Sequence, residues 1–463
     1  MEQTGSSHKA EHLCVLVHGL WGNPAHLTNV AKVLREKHSE DKLHILVAKN
    51  NSGSFTYDGI ECGGERVCQE IEEELERLKG EGQVIKKLSI CGYSLGGLIS
   101  RYAVGLLYSR GVFDRVEPVN FTTFATPHLG VRTPLRGYHN HLWNVLGART
   151  LSLSGRQLFI IDKFRDTGRS LLSVLADPES IFIKGLAKFE RRTLYANIVN
   201  DRSAVYYTTG ITKTDPFTNL GQIAINYLKD TENVLVDGEN PVAPKEPQEC
   251  SPLWCFRLMA DVRDMINRVP FLLAMIVFIP FGTLAFLINA GVQSFASSRR
   301  IKLHESGRAG IEVSSYRMPL LLTGMRGAVE DVYENLNSAQ SNDYLASEAE
   351  EEAISHGDPT ASRMEGEEPL LPEVEKSTHH SLSPNLDDTQ LSHSRNLGIQ
   401  TLALAPEQFA MISALDNVGF RKYPVHIHKV NHSHAAMIVR MNKPAFSEGY
   451  IVLRHWVENE FSM

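Results

Sequence analysis

Cysteine is scarce in this chain, with six in 463 residues. None of the six (Cys14, Cys62, Cys68, Cys91, Cys250, Cys255) falls at metal-ligand spacing or in the density of a disulfide scaffold. Cys14 and Cys91 lie inside apolar runs, where a thiol serves as a small core side chain in a reducing compartment. Excess positive charge is also missing. The formal net charge is −7, and no basic stripe of the kind that grips nucleic acid is present. The segment Met1–Glu11 has no apolar run, so no secretory leader is expected and the cytosol is the expected setting. No internal repeat is visible, and no motif calls for a metal or an organic cofactor. Oligomeric state is not written in the pattern.

What is present is enough apolar material for a sizeable core, 42% of the residues. The negative charge is concentrated between Ser338 and Asn396, where thirteen acidic residues face three basic ones. That net of −10, against −7 for the whole chain, leaves +3 for the rest. With its Ser and Pro content, the acidic stretch 338–396 reads as a disordered linker.

The first two hundred residues alternate strand and helix signals. Strands are expected over Leu13–His18, Leu43–Ala48, Lys86–Gly92, Phe121–Thr126 and Thr193–Val199, as short apolar runs. Helices are expected over Pro24–His38, Gly64–Lys79 and Leu95–Tyr108, where apolar residues recur at helical spacing. Such alternation implies a mainly parallel sheet covered by helices on both faces. A strand pattern recurs over Val425–Val430, and an amphipathic stretch closes the chain around Glu448–Phe461.

Gly92-Tyr93-Ser94-Leu95-Gly96 is a G-x-S-x-G pentapeptide set between an apolar strand and a helix. In that context it reads as the nucleophile elbow of an α/β-hydrolase, the tight turn lifting Ser94 above the carboxyl ends of the strands. Acyl transfer also needs donors for the oxyanion. The Leu95 N–H, opening the helix, is the first, and the Leu20 N–H in the early loop His18-Gly19-Leu20-Trp21-Gly22 is the second. His18 reads as a residue shaping that loop.

The fold presents its catalytic residues in the order Ser, acid, His. Asp201, just past the strand-like run Thr193–Val199, is the acid. Asp177 reads as a helix-terminal residue, and Asp162 and Asp166 as solvated charges in an insertion. The base is one of His426, His428, His432, His434 and His455. His426 and His428 alternate in a strand pattern and His455 lies in the terminal helix signal, which leaves Asn431-His432-Ser433-His434. His434, followed by two alanines that leave room beside a reacting centre, is preferred, with His432 as the alternative base. The chemistry is then ester hydrolysis through an acyl-enzyme.

Several motifs together resemble the fungal branch of the putative serine esterase family. They are LVHGLWGN at Leu16–Asn23, DGIECGGERV at Asp58–Val67, CGYSLGGLISRYA at Cys91–Ala103, FATPHLG at Phe124–Gly130, SGRQLF at Ser154–Phe159, YANIVNDRSAVYYT at Tyr195–Thr208 and HSHAAMIVR at His432–Arg440. The branch includes a yeast lipid-droplet phospholipase and related monoacylglycerol lipases. The resemblance implies a lipid substrate, a membrane or droplet monolayer as the surface of action, and a location on lipid droplets or the cytosolic face of the endoplasmic reticulum. His128, within FATPHLG, is outside the Ser–acid–His order and reads as structural.

The expected organisation is a catalytic domain over 1–240 with an insertion at 129–191, a membrane-anchoring segment with basic flanks over 257–302, the linker 338–396, and the base-carrying remainder of the catalytic domain over 397–463. The insertion serves either as a lid with an acyl pocket or as plain core packing. Val269–Val292 is 24 residues without a charge. A single span would part Ser94 and Asp201 from His434, and both flanks are basic, so a re-entrant hairpin turning near Pro280 or an interfacial anchor is expected. Cys250 and Cys255, just before it, are open to acylation. Two rival functions remain, a soluble carboxylesterase or thioesterase and a catalytically silent membrane-bound scaffold.

Overall fold

A computed structural model of the chain describes residues 9–132, 150–245, 281–311, 313–317 and 400–463. Six strands form one sheet: β1 (His12–Val17), β2 (Leu43–Val47), β3 (Lys87–Tyr93), β4 (Glu117–Phe124), β5 (Arg191–Asn197) and β8 (Arg421–Val425), in spatial order β2-β1-β3-β4-β5-β8. Every pairing in it is parallel. A separate antiparallel ribbon joins β6 (Ile223–Ile225) to β7 (Val242–Pro244). This is the sheet of an α/β-hydrolase fold.

The run LCVLV makes an interior strand because both of its faces are covered. Leu13, Val15 and Val17 enter one apolar cluster with α2 (Gly59–Gly80) and α3 (Leu95–Ser109). Cys14 and Leu16 enter another with α1 (Thr28–Lys37) and α6 (Gly449–His455). Side chains two apart share a face, so a continuous apolar run serves both clusters at once. Cys14, Cys62, Cys68 and Cys91 are all buried free thiols. Cys250 and Cys255 lie outside the described residues.

Two elements and one side chain depart from expectation, each for a physical reason. Helix α2 starts at Gly59 rather than Gly64, although glycine penalises helix. The small residues let α3 approach, since a Cβ on Gly64 would stand 2.5 Å from the Tyr102 ring. The expected strand Val425–Val430 is instead β8, which stops at Val425. Beyond Val425 the His426 N–H goes to the Val234 carbonyl at 2.8 Å, and Glu448 takes the His428 and Lys429 N–H groups at 2.9 and 3.0 Å. Asp162 is not a solvated charge: its Oδ2 accepts from the Leu171 N–H at 2.9 Å, and burial pushes its pKa up to about 6.

The described part of the 129–191 insertion packs into the core. Its helices Ser152–Leu158, Leu171–Leu175 and α4 (Ile181–Ala187) bury Leu158, Leu171, Leu175 and Phe182 in the α3 cluster. It also caps α2, with Ser154 Oγ accepting from Gly59 N and Gln157 Oε1 from Ile60 N. Asp177 follows the second of these helices and pairs with Arg169 at 2.5 Å. Helix α5 (Pro406–Val418) packs beside it.

Of the expected anchor, only the part from 281 on is described, as a helix over 281–305. Among the described residues no helix is long and apolar enough to cross a membrane. The turn at Pro280 and the acidic stretch 338–396 lie outside the described residues.

Candidate active site

Ser94 stands between β3 and α3 with φ 55° and ψ −127°. A non-glycine residue at positive φ is strained, and the surroundings must hold it there. They do so by close backbone approach. A Cβ on Gly96 would collide with the Val17 and His18 carbonyl oxygens, and one on Gly97 with Thr126. The Ser94 N–H is also tied to the Phe124 carbonyl at 2.9 Å.

The parallel strands end on one side of the sheet, and three loops meet there. Ser94 follows β3, Asp201 follows β5, and His434 lies in the short helix Ser433–Ala436 that follows β8. His434 Nε2 is 2.9 Å from Ser94 Oγ, and its Nδ1 is 2.7 Å from Asp201 Oδ2. The imidazole that receives a proton at Nε2 therefore donates at Nδ1. Asp201 Oδ1 accepts from the Ser203 and Ala204 N–H groups, each at 2.9 Å. Burial alone would raise the Asp201 carboxyl, but the His434 ring and the Ala204 and Asn197 donors more than offset it. Its pKa lies below the ordinary carboxylate value.

The loop after β1 presses on Ser94. A Cβ on Gly19 would stand 2.7 Å from Ser94 Cβ and 3.3 Å from its Oγ. The next peptide carries the Leu20 N–H. Among the described residues neither the Leu20 nor the Leu95 N–H has an acceptor. Both are thus available to a substrate oxygen.

Several residues of the site carry no motif that singles them out. Asn197, at the end of β5, donates to Asp201 Oδ2 at 2.9 Å. Tyr93 donates from its hydroxyl to the His434 carbonyl at 3.0 Å, and burial pushes its phenol up, keeping it a donor. Trp21, at φ 54°, is braced by Thr56 and Tyr57. Only the placement of Asn197 four residues before Asp201, at a strand end, hinted at such a role.

The other histidines weighed as bases or as structural residues make different contacts. His426 bonds to Tyr227, His428 to Glu448 and His455 to Tyr195. His432 is exposed just ahead of the turn, and the contacts to Ser94 and Asp201 belong to His434. His18 is buried with Nδ1 on the Gly19 carbonyl, and burial pushes its pKa down. His128 is buried against Thr123, and burial, with Arg101 and Lys422 nearby, pushes its pKa far down. Among the described residues no group of three or more His, Cys, Asp or Glu side chains is arranged to hold a metal ion.

Residues 7–214 match the family model described as Putative serine esterase (DUF676), a span that holds Ser94, Asp201, Leu20 and Leu95. Over this span the chain is similar to that family. Putative lipase ROG1 of Saccharomyces cerevisiae is 31% identical over 45% of this chain and 30% of its own. Putative lipase C4A8.10 of Schizosaccharomyces pombe is 28% identical over 44% of this chain and 26% of its own, and Putative lipase YDL109C of S. cerevisiae is 30% identical over 43% and 30%. The similarity thus spans less than a third of each relative's length. A solved structure of RedJ with a bound polyethylene glycol overlaps 31% of this chain and 51% of its own at 19% identity and a TM-score of 0.21. That overlap is too slight to argue from, and the hydrolase fold rests on the strand order and the elbow. His434 lies outside the esterase family match and reaches the site only through the fold.

Proposed function

We propose that this chain is a serine hydrolase that cleaves acyl esters of glycerolipids or phospholipids at a membrane or lipid-droplet surface. The observation that carries the reading is the hydrogen-bonded line Ser94–His434–Asp201, 2.9 and 2.7 Å, at the carboxyl ends of the strands. Ser94 Oγ attacks the ester carbonyl carbon while His434 Nε2 takes its proton. The carbonyl electron pair moves to oxygen, where the Leu20 and Leu95 N–H groups receive the negative charge. Collapse expels the alcohol, protonated by His434, and leaves an acyl-Ser94. Water, deprotonated by the same imidazole, then releases the fatty acid. Asp201 keeps the imidazole in the tautomer that accepts at Nε2 and stabilises the imidazolium.

A lipid substrate is supported by the relatives named as lipases and by the exposed apolar helix over 281–305. A location on lipid droplets or the cytosolic face of the endoplasmic reticulum follows from the same reading. The test is hydrolysis of emulsified long-chain esters against monomeric short-chain esters by the purified chain, with fluorophosphonate labelling alongside. Labelling with preference for the emulsion is expected. Preference for monomeric esters would make the protein a soluble carboxylesterase or thioesterase, and no labelling would make it a silent scaffold.

A further inference from the structure

The helix over 281–305 has two halves of opposite chemistry. From 281 to 289 every residue is exposed. Phe281, Ile288 and, further on, Phe295 are 71%, 60% and 69% exposed. A helix on a water-soluble fold hides an apolar stripe; one that is apolar all round and uncovered on every side belongs in an apolar medium. A protein partner or a second copy would cover one stripe, whereas lipid surrounds the whole circumference. The uncharged run extends back in sequence to Val269, so the apolar stretch is longer than the part described.

The other half is fastened to the catalytic domain. Ser297 Oγ donates to Asp58 Oδ1 at 2.8 Å, and Arg300 Nη2 donates to the same oxygen at 2.8 Å. Arg66 of α2 donates to Asp58 Oδ2 at 2.8 Å, and Asp58 is wholly buried. One turn later His304 pairs with Glu65, both buried. Buried pairs of this kind fix geometry, because breaking one leaves a charge without its partner.

The fastening point connects to the loop that lies against Ser94. Arg300 also donates to the Ser54 carbonyl at 2.8 Å, and its guanidinium lies over the Phe55 ring, 5.1 Å from the centroid. The same turn, Gly53–Tyr57, braces the loop of Leu20: Trp21 N donates to Thr56 Oγ1 at 3.1 Å and Trp21 Nε1 to Tyr57 Oη at 2.7 Å. Trp21 and Phe55 are exposed aromatic rings on this path.

We propose that the helix over 281–305 is an arm seated in a phospholipid surface, and that Arg300 and Asp58 latch it to the Gly53–Tyr57 turn so that the Ser94 mouth is held facing that surface. Trp21 and Phe55 complete the seated face, and Arg299 and Lys302, exposed at the base of the arm, meet the phosphate head groups. Arg300 and Asp58 are positioning residues. The proposal rests on the reading that the substrate is a lipid ester.

The test uses the full chain with vesicles of phosphatidylcholine and phosphatidylserine. Flotation measures binding, and hydrolysis is followed on a vesicle-borne ester lipid and on a soluble short-chain ester. Ile288→Asp, Val292→Asp and Phe295→Asp combined should lower vesicle binding and the ratio of vesicle-borne to soluble rate by at least about tenfold. Arg300→Gln should still float, yet lower that ratio by about fivefold or more, with partial recovery in Arg300→Lys. Flotation of the triple variant like the wild type would overturn the seating. An unchanged ratio in Arg300→Gln, or equal loss in Arg300→Lys, would overturn the latch. Wild-type protein that floats but hydrolyses neither ester would instead overturn the hydrolase reading while leaving the seating intact.

Discussion

Asn197 and Asp201 share a side-chain hydrogen bond at the end of β5, with Asn197 Nδ2 donating to Asp201 Oδ2 at 2.9 Å. That oxygen is also the one facing His434 Nδ1. The amide therefore helps aim the carboxylate that aims the imidazole. Asn197→Ala should lower turnover by about tenfold, in line with loss of an outer hydrogen-bond partner. Since the bond favours the charged carboxylate, its loss raises the Asp201 pKa, and activity should fail at a higher pH on acidification. The same depressed pKa contributes stability that is present above the ordinary carboxylate value of about 3.9 and is lost as pH falls through the lower folded value. A pH–rate profile and acid melts of both proteins check this.

Ser94→Ala should remove fluorophosphonate labelling and lower ester hydrolysis by about three orders of magnitude or more, with the far-ultraviolet dichroism unchanged. His434→Ala should lose a comparable amount, while His432→Ala should stay within a few-fold of wild type. Activity of Ser94→Ala near wild type would remove Ser94 from the mechanism. The reverse ranking of the histidines would transfer the base to His432.

Asp162 has a folded pKa raised to about 6 by burial. A raised carboxyl binds its proton more tightly in the folded state, so this residue costs stability as pH climbs from about 4 through about 6. Asp162→Asn removes the titration and can still accept from the Leu171 N–H. The variant should melt higher than wild type at pH 8, with a smaller gain at pH 5. No difference in that gain between the two pH values would show that burial does not hold the carboxyl up.

Ser94 Oγ and His434 Nε2 are 2.9 Å apart although Val269–Val292 lies between them in the chain. Both flanks of that segment must then face one compartment. Protease sites placed at Glu249 and Glu351 should both be cut from the cytosolic side of sealed organelles. Cleavage of only one would be incompatible with the Ser94–His434 contact.

Much of the site was legible in the sequence because it is local. Gly92, Ser94 and Gly96 read as an elbow because the tight turn needs glycines on either side of the serine, and the apolar run before it marks a strand. Asp201 was reachable because a carboxylate just past a strand is held in the loop layer. Tyr93 and the Thr56–Tyr57 brace on Trp21 were not, since their roles are contacts and leave no spacing to read, and Asn197 was hinted at only by its place four residues before Asp201.

Sequence alone therefore determined the alternation of strand and helix, the strained serine and the uncharged run from Val269 to Val292, because each depends on neighbours along the chain. Only the tertiary structure decided that His434 rather than His432 meets Ser94, since residues two apart on a short turn point different ways. It alone stopped β8 at Val425, where the Val234 carbonyl takes the His426 N–H and Glu448, more than twenty positions away, takes those of His428 and Lys429. It also joined Arg300 to Asp58 across 242 residues, a pairing set by how a buried carboxylate finds its counter-charge and by nothing in the order of the chain.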